Sequence, residues 1–185
     1  SDRLLEVEIP TEERINFAVA RGIVKAKLPG CEHYLVTSFF RPPLRKERTS
    51  LYPPVLRDEI LAAKARAVTG EHVLVYQTSD SSTELVPILR KLPGRFVVYG
   101  FKRREELGNV SLKEFSEEGF IDDLAASQAV VTGGGFSLMT EAIYLGKPVL
   151  SVPIKNQFEQ LLNALYLERL GYGANASELS SAALG

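Results

Sequence analysis

Residues 129–173 read AVVTGGGFSLMTEAIYLGKPVLSVPIKNQFEQLLNALYLERLGYG, and their reading decides the fold. Ala129 to Thr132 is a short β-branched run, followed directly by Gly133, Gly134 and Gly135. From Ser137 to Leu145 the apolar positions recur with a helical period. Gly146 then sits at a C-cap position, and Pro148 prevents continuation. Val149 to Val152 is a second strand-like run, and a loop and a further helix close the stretch. Strand, turn, helix and strand in that order make a βαβ unit, which requires a parallel sheet and an α/β fold class.

The three glycines carry a chemical expectation as well as a geometric one. A turn without Cβ atoms lets a ligand approach the backbone, and free N–H groups at a helix start attract anions. Taken alone, a tight turn with no ligand explains Gly133, Gly134 and Gly135 equally well. The helix that follows adds to the ligand reading, because Ser137 and Glu141 are four residues apart and share a face. A hydroxyl beside a phosphate, with a carboxylate one turn deeper, suits a nucleoside diphosphate and its ribose diol. The ordinary alternative for Glu141 is an exposed helical carboxylate.

These residues, in this order, resemble the donor-binding half of the GT-B glycosyltransferases. They are similar to the UDP-glycosyltransferases and to the N-acetylglucosaminyltransferase that forms lipid II. The matching positions are Gly134-Gly135, Glu141-Ala142, Gly146-Lys147-Pro148, Glu159-Gln160, Asn163-Ala164 and Gly171-Tyr172-Gly173. The resemblance implies a Rossmann-like parallel sheet with helices on both faces, and a UDP-sugar donor whose hexosyl group passes to an acceptor hydroxyl with inversion. It also implies that Glu159 and Gln160 face hydroxyls of the donor sugar, with Asn163 one turn on from Gln160. The UDP-glycosyltransferases place a histidine before the paired glycines. Gly133 stands there in this chain, which leaves backbone amides and Ser137 for the phosphates. Phe120-Ile121-Asp122-Asp123-Leu124 is similar to a run in the lipid-II-forming enzymes whose Phe-Ile backbone reads the uracil edge. Asp122 and Asp123 read as cap and dipole partners at a helix start, not as a metal site. The resemblance implies neither a metal nor another cofactor.

Of the 185 residues 45% are hydrophobic and 24% charged, and the formal net charge is −1. That is ordinary for a globular domain and supplies no global basic field for nucleic acid or an anionic membrane. A single cysteine, Cys31, excludes an intrachain disulfide. No apolar run approaches the ~20 residues of a membrane span and no signal peptide opens the chain, so the expected location is cytoplasmic.

Residues 1–9 alternate like a strand. Thr11 is placed to cap a helix with Glu12 and Glu13 in its first turn and Ile15, Phe17, Ala18 and Ile23 on its apolar side. His33 to Phe40 reads as a strand, and Arg41 to Arg57, with four prolines, as a stiff extended linker. Residues 1–48 are therefore expected to be a remnant of an N-terminal acceptor domain, and residues 49–185 the donor domain. The main body of the acceptor domain, with the catalytic base and any peripheral membrane contact, is expected outside this chain. Arg57 resembles an interdomain arginine that helps hold the donor diphosphate; a solvated linker charge is the alternative.

Asp58 to Val68 reads as a helix with apolar positions at Ile60, Leu61 and Val68. His72 to Tyr76 is the first strand suited to a covered parallel sheet, and the loop after it lies where ligands bind in open α/β sheets. In that loop Ser79 resembles the serine of a Gly-Gly-Ser loop whose glycines are replaced by Gln77 and Thr78; a helix N-cap cluster is the alternative. A helix from about Thr83 to Leu92 and strands at Phe96–Phe101 and Asn109–Leu112 complete the pattern. The function this implies is the donor-binding part of a glycosyltransferase with a cell-envelope or polysaccharide product and an unidentified acceptor. A nucleotide-sugar epimerase or hydrolase, and a non-catalytic donor-binding subunit, stay open as alternatives.

Overall fold

Residues 6–7, 9–27, 30–77, 84–155, 157–180 and 183 are described by the structure, a computed structural model. The first part of the chain supplies helix α1 (Arg14–Lys27) and a parallel pair of strands, β1 (Tyr34–Thr37) with β2 (Thr49–Tyr52). Then come α2 (Asp58–Ala63), β3 (His72–Tyr76), α3 (Leu85–Leu89), β4 (Arg95–Tyr99), β5 (Glu105–Leu107) and β6 (Val110–Lys113). The chain goes on through α4 (Glu117–Ala126), β7 (Ala129–Thr132), α5 (Phe136–Leu145), β8 (Val149–Ser151), α6 (Phe158–Arg169) and β9 (Gly173–Asn175). Strands β3 to β9 form one sheet in the order β5-β6-β4-β3-β7-β8-β9, parallel throughout except between β5 and β6. The α/β class expected from the sequence is the one that forms.

Alternation along the strands feeds two cores. Leu74, Tyr99, Val130 and Val149 meet Ile60 of α2, Phe120 and Leu124 of α4, Met139 and Ala142 of α5 and Leu167 of α6. Their neighbours Val75, Val98 and Val131 pack on the other face against Leu85 and Leu89 of α3. Helices thus cover both faces. A third cluster fastens the first part of the chain to α6: Val7, Tyr34 and Phe40 pack with Phe158 and Leu162. Within it Phe17 meets Phe158 edge-on at 5.3 Å between ring centroids, and Phe40 stacks on Tyr166 at 3.9 Å. Among the described residues no helix is long and apolar enough to cross a membrane.

The strand order reverses at β3. The chain leaves it toward β4 and β6 on one side and returns to its other side with β7. In an open parallel sheet the crevice outside the carboxyl ends of two such strands is the ligand-binding position. Gln77 follows β3 and Gly133 follows β7, so both border that crevice.

A buried cation closes the opposite end. Gly146 ends α5 in the left-handed region at φ 81°, and Lys147 then turns inward to 5% exposure. Its ammonium donates to Val68 O at 2.5 Å and Ser127 O at 2.8 Å. These carbonyls lie just past the 3-10 turn that follows α2 and past α4. Helix C-termini leave carbonyls unpaired and partly negative, so one ammonium satisfies two ends. Burial, with a smaller contribution from Lys64, lowers the Lys147 pKa.

The first part of the chain departs most from expectation. Of residues 1–9 the structure describes 6, 7 and 9, none of them in a strand. Thr11 opens a 3-10 turn after Pro10 without a side-chain cap. On α1 it is Phe17 and Ala20 that pack, while Ile15 and Ile23 are 78% and 51% exposed and Ala18 faces solvent. The Arg41–Arg57 stretch is not one extended linker, because Thr49 to Tyr52 pairs residue for residue with β1. The proline-containing segment before it provides the crossover that parallel strands need. The helix expected to run to Val68 ends at Ala63 and passes into a 3-10 turn; Ile60 is buried, whereas Leu61 and, beyond the turn, Val68 are exposed. Strands β5 and β9, at the two edges of the sheet, have three residues each and were not anticipated. Helix α4 begins earlier than its sequence suggests, capped by Ser116, whose Oγ accepts from Gly119 N. Asp122 and Asp123 therefore lie inside the helix: Asp122 pairs with Arg66 at 2.8 Å, and Asp123 accepts from Tyr99 and Lys113.

Lys147→Met is expected to lower the unfolding free energy by about 2 kcal/mol. Charge-assisted hydrogen bonds contribute roughly 1.5–3 kcal/mol each, and desolvation of the ammonium offsets part of that. Urea denaturation at neutral pH measures it; an unchanged midpoint would mean that water replaces the ammonium at both carbonyls.

Candidate functional site

A cavity of about 450 Å³ opens at the carboxyl ends of β3 and β7. The glycine turn forms its floor. Gly134 has φ 88°, and a Cβ there would lie 2.9 Å from both Gln160 O and Ser151 Oγ. Glycine is thus required at 134 for backbone conformation and for the close approach of α6. Asn163, 5% exposed, donates to Gly134 O at 3.1 Å and holds the turn against α6. Gly135 precedes α5, whose first turn receives no side-chain cap. Its leading amides lack intrahelical acceptors and sit beside the exposed Ser137, an arrangement suited to an anion.

One turn deeper, Glu141 is 6% exposed and carries a two-pronged ion pair. Arg57 Nε donates to its Oε1 at 2.9 Å and Nη2 to its Oε2 at 3.0 Å, while Nη1 reaches Glu117 Oε1 at 2.6 Å. Arg57 stands immediately before α2, so one guanidinium ties together α2, α4 and α5. The hydrogen bond to Glu141 raises the Arg57 pKa further above its ordinary range, against a smaller opposing effect of burial. One cation between two carboxylates leaves this wall of the cleft with a local charge of −1.

An aromatic cluster forms another wall. Phe120 meets Tyr99 at 5.0 Å, Phe115 at 5.5 Å and Tyr76 at 5.6 Å between centroids. Phe115 is 60% exposed at the cleft, a large apolar surface facing open space. Tyr99 is buried beneath it and donates to Asp123 Oδ2 at 2.6 Å, which also accepts from Lys113 Nζ at 2.7 Å. Burial first, and then Asp123, push the Tyr99 phenol well above its usual range.

Gly133, Gly135, Ser137, Glu141, Phe120, Gln160 and Arg57 line this one cleft, with Gly134 beneath them. Arg57, expected as a phosphate ligand, has three of its N–H groups taken by carboxylates. Glu159 is exposed on the first turn of α6 and does not line the cleft, unlike its neighbour Gln160. Phe120, whose backbone was expected to read a base edge, lines the cleft, and its N–H donates to Ser116 O within α4. Ile121, one residue further into the helix, is 2% exposed in the core. The earlier start of α4 explains both differences. Ser79 lies outside the described residues. Phe115, Tyr76, Thr132 and Val55 also line the cleft and were not singled out from the sequence. A signal for Phe115 existed: an aromatic directly before the Ser116 cap and after the end of a parallel strand. Among the described residues no cluster of three or more His, Cys, Asp or Glu is placed to hold a metal ion.

Sheet order, glycine turn and cleft together define an α/β domain with an open cleft at its topological switch point. The chain belongs to glycosyl transferase family 1, whose model matches residues 3–185. It is 39% identical over 72 residues to an uncharacterized glycosyltransferase of Methanosarcina mazei, covering 39% of this chain and 19% of that protein. To one of Methanosarcina acetivorans it is 38% identical over 65 residues, covering 35% and 17%. The matched stretch is thus less than a fifth of the length of these relatives. Among solved structures, the spinosyn forosaminyltransferase SpnP is similar with a TM-score of 0.55 at 14% identity, over 96% of this chain and 53% of that one. Arabidopsis thaliana UGT89C1, complexed with UDP, is similar with a TM-score of 0.50 at 17% identity, over 69% and 38%. At these identities the likeness is one of fold.

Arg57→Ala should destabilise the protein by about 2–3 kcal/mol, since it leaves the Glu141 carboxylate buried without its cation. Breaking a fully buried pair costs roughly 3–5 kcal/mol, and the 36% exposure of the Arg57 side chain reduces that figure. Adding Glu141→Gln should restore part of the loss, and a double-mutant cycle by urea denaturation reads the coupling; strict additivity would show that the pair contributes nothing. Tyr99 gives a pH dependence. Above about pH 10 the unfolded phenol ionises while the folded one keeps its proton, so its contribution to stability is lost as pH rises toward the folded pKa. Tyr99→Phe should remove that part of the alkaline slope, measured as the difference in urea midpoint between the two proteins from pH 8 to 11.

Proposed function

We propose that this domain binds a UDP-sugar in the cleft and serves as the donor half of a hexosyltransferase. The observation that carries the reading is the glycine turn at the switch point, with an uncapped helix N-terminus and Ser137 beside it and Glu141 one turn deeper. The charge distribution orders the ligand along the cleft. A wall of net charge −1 at Arg57, Glu141 and Glu117 repels a diphosphate and accepts hydroxyl donors, so the ribose diol goes there. The phosphates go to the amides of the turn, and the base goes to Phe115 and Phe120. Membership of glycosyl transferase family 1 and the complex of UGT89C1 with UDP support a nucleotide-sugar ligand for this cleft.

In the reaction the acceptor hydroxyl attacks the anomeric carbon, the bond from that carbon to the diphosphate oxygen breaks, and the hydroxyl proton passes to a base. Attack opposite the leaving group gives inversion. This domain orients the donor and disperses the charge that develops on the departing diphosphate through amides and side chains. The base belongs, in this reading, to an acceptor domain of which residues 1–48 are the trailing part. A cell-envelope or polysaccharide acceptor is the reading that the resemblance to the lipid-II-forming enzyme supports.

Calorimetry should show UDP binding, and Glu141→Gln should weaken UDP by about tenfold while leaving pyrophosphate nearly unaffected. A carboxylate accepting from hydroxyls forms charge-assisted bonds of roughly 1.5–3 kcal/mol, against about 0.5–1.5 for a neutral acceptor. Absence of UDP binding would overturn the donor reading, and equal weakening of both ligands would remove Glu141 from the ribose.

A further inference from the structure

Two glutamines meet across the glycine turn. Gln77 follows β3, and Gln160 lies in the first turn of α6. A methyl group placed on Gly133 would stand 3.4 Å from Gln160 Oε1 and 3.7 Å from Gln77 Oε1, so the two carboxamide oxygens converge on one point of the cleft wall; a half-turn about the last side-chain bond of Gln77 exchanges its oxygen for its NH2 group. Both residues are partly buried and line the cleft.

Each is held in place. Gln77 N donates to Tyr99 O at 3.3 Å, and the neighbouring Gly100 comes so near that a Cβ on it would lie 1.9 Å from Gln77 O. That approach requires glycine at 100, where φ is 112°. Gln160 is fixed through its side chain, since Oε1 accepts from Ile154 N at 3.0 Å. With the oxygen so engaged, the Nε2 hydrogens are the end that Gln160 presents to a ligand.

The charges around the cleft make this pair matter. Among the described residues that line it, the charged ones are Arg57 and Glu141, and they are paired with each other. Negative charge arriving at the turn is therefore met by neutral donors: amides, hydroxyls and carboxamides. At the position that the UDP-glycosyltransferases fill with histidine, this chain has Gly133. The space above it is flanked by two carboxamides.

We propose that Gln77 and Gln160 form a neutral clamp on the distal phosphate of a bound nucleoside diphosphate, with Gln77 its positioning residue on the β3 side. The proposal rests on the donor-binding reading above and adds to it a residue outside the glycine motif. Carboxamides do not titrate, so the clamp itself adds no ionisable group to the site, as a histidine would.

The test is calorimetry of the purified protein with UDP, UMP and uridine. Gln77→Glu replaces a donor with a negative acceptor of the same shape, and should weaken UDP at least tenfold, UMP less than twofold and uridine not at all. Gln160→Glu, which keeps an acceptor for Ile154 N, should reproduce the pattern. Gln77→Leu, which adds no charge, should weaken UDP about three- to tenfold and preserves the test if Gln77→Glu folds poorly by thermal melting. Equal losses of UDP, UMP and uridine would assign Gln77 a structural role and overturn the clamp, as would unchanged UDP affinity in the variants. A wild-type protein that binds no UDP would instead overturn the donor reading, and the clamp with it.

Discussion

The site depends on one close contact, that of α6 with the backbone at Gly134. With no side chain at 134, Gln160 O and the Gln160 side chain come to within van der Waals range of the turn, and Asn163 adds a hydrogen bond to Gly134 O. The turn can then place the amides of α5 at the carboxyl ends of the strands, and Gln160 can reach the cleft. The contact is only as firm as α6 itself. That helix is seated twice, by Leu167 in the core beneath the sheet and by Phe158 and Leu162 in the cluster built from Val7, Tyr34 and Phe40. Val7, Tyr34 and Phe40 therefore contribute to the cleft without lining it.

Electrostatics divides the cleft by task. Its guanidinium is committed to carboxylates, so the pair at Arg57 and Glu141 acts as a rigid strut among three helices and offers lone pairs more readily than positive charge. The other donors that line the cleft are dipoles. Backbone amides and carboxamides fixed by the fold need no reorganisation when charge develops, and this makes such donors effective in a partly enclosed site. At the far end of the same layer the helices finish on the Lys147 ammonium. The layer thus has open amides at the ligand end and a neutralised carbonyl end.

The sequence was most legible where punctuation and period agreed. Between Ala129 and Ser151 the glycines, the Gly146 cap and Pro148 bracket a helix whose apolar spacing is regular, and strand, helix and strand fall where they were expected. Legibility failed where a local signal competed with a tertiary one. Thr49 and Ser50 are polar, and Tyr52 is followed by Pro53, yet these residues form a strand because β1 offers them an edge. Asp122 and Asp123 read as cap and dipole partners at a helix start, but Ser116 captures the helix six residues before Asp122 and turns Ile121 into the core. Glu159 and Gln160 were read as a pair, yet consecutive helical positions point about 100° apart, and of the two Gln160 lines the cleft. The Glu141 partner was hidden for a different reason: Arg57 lies 84 residues away in sequence, and a helical spacing rule sees only its own helix.

The stacking of Phe40 on Tyr166 has a mechanical consequence. Helix α6 is a rod of roughly 18 Å at 1.5 Å per residue, with Gln160 near one end and Tyr166 near the other. A rod gripped at both ends cannot yield at one without moving the other. A shift of the first turn of α6 by a fraction of an ångström is therefore felt as a tilt at Phe40, on the part of the chain that leads away from the cleft. The filling of the cleft can be transmitted in this way along a single lever, with no loop required to carry it.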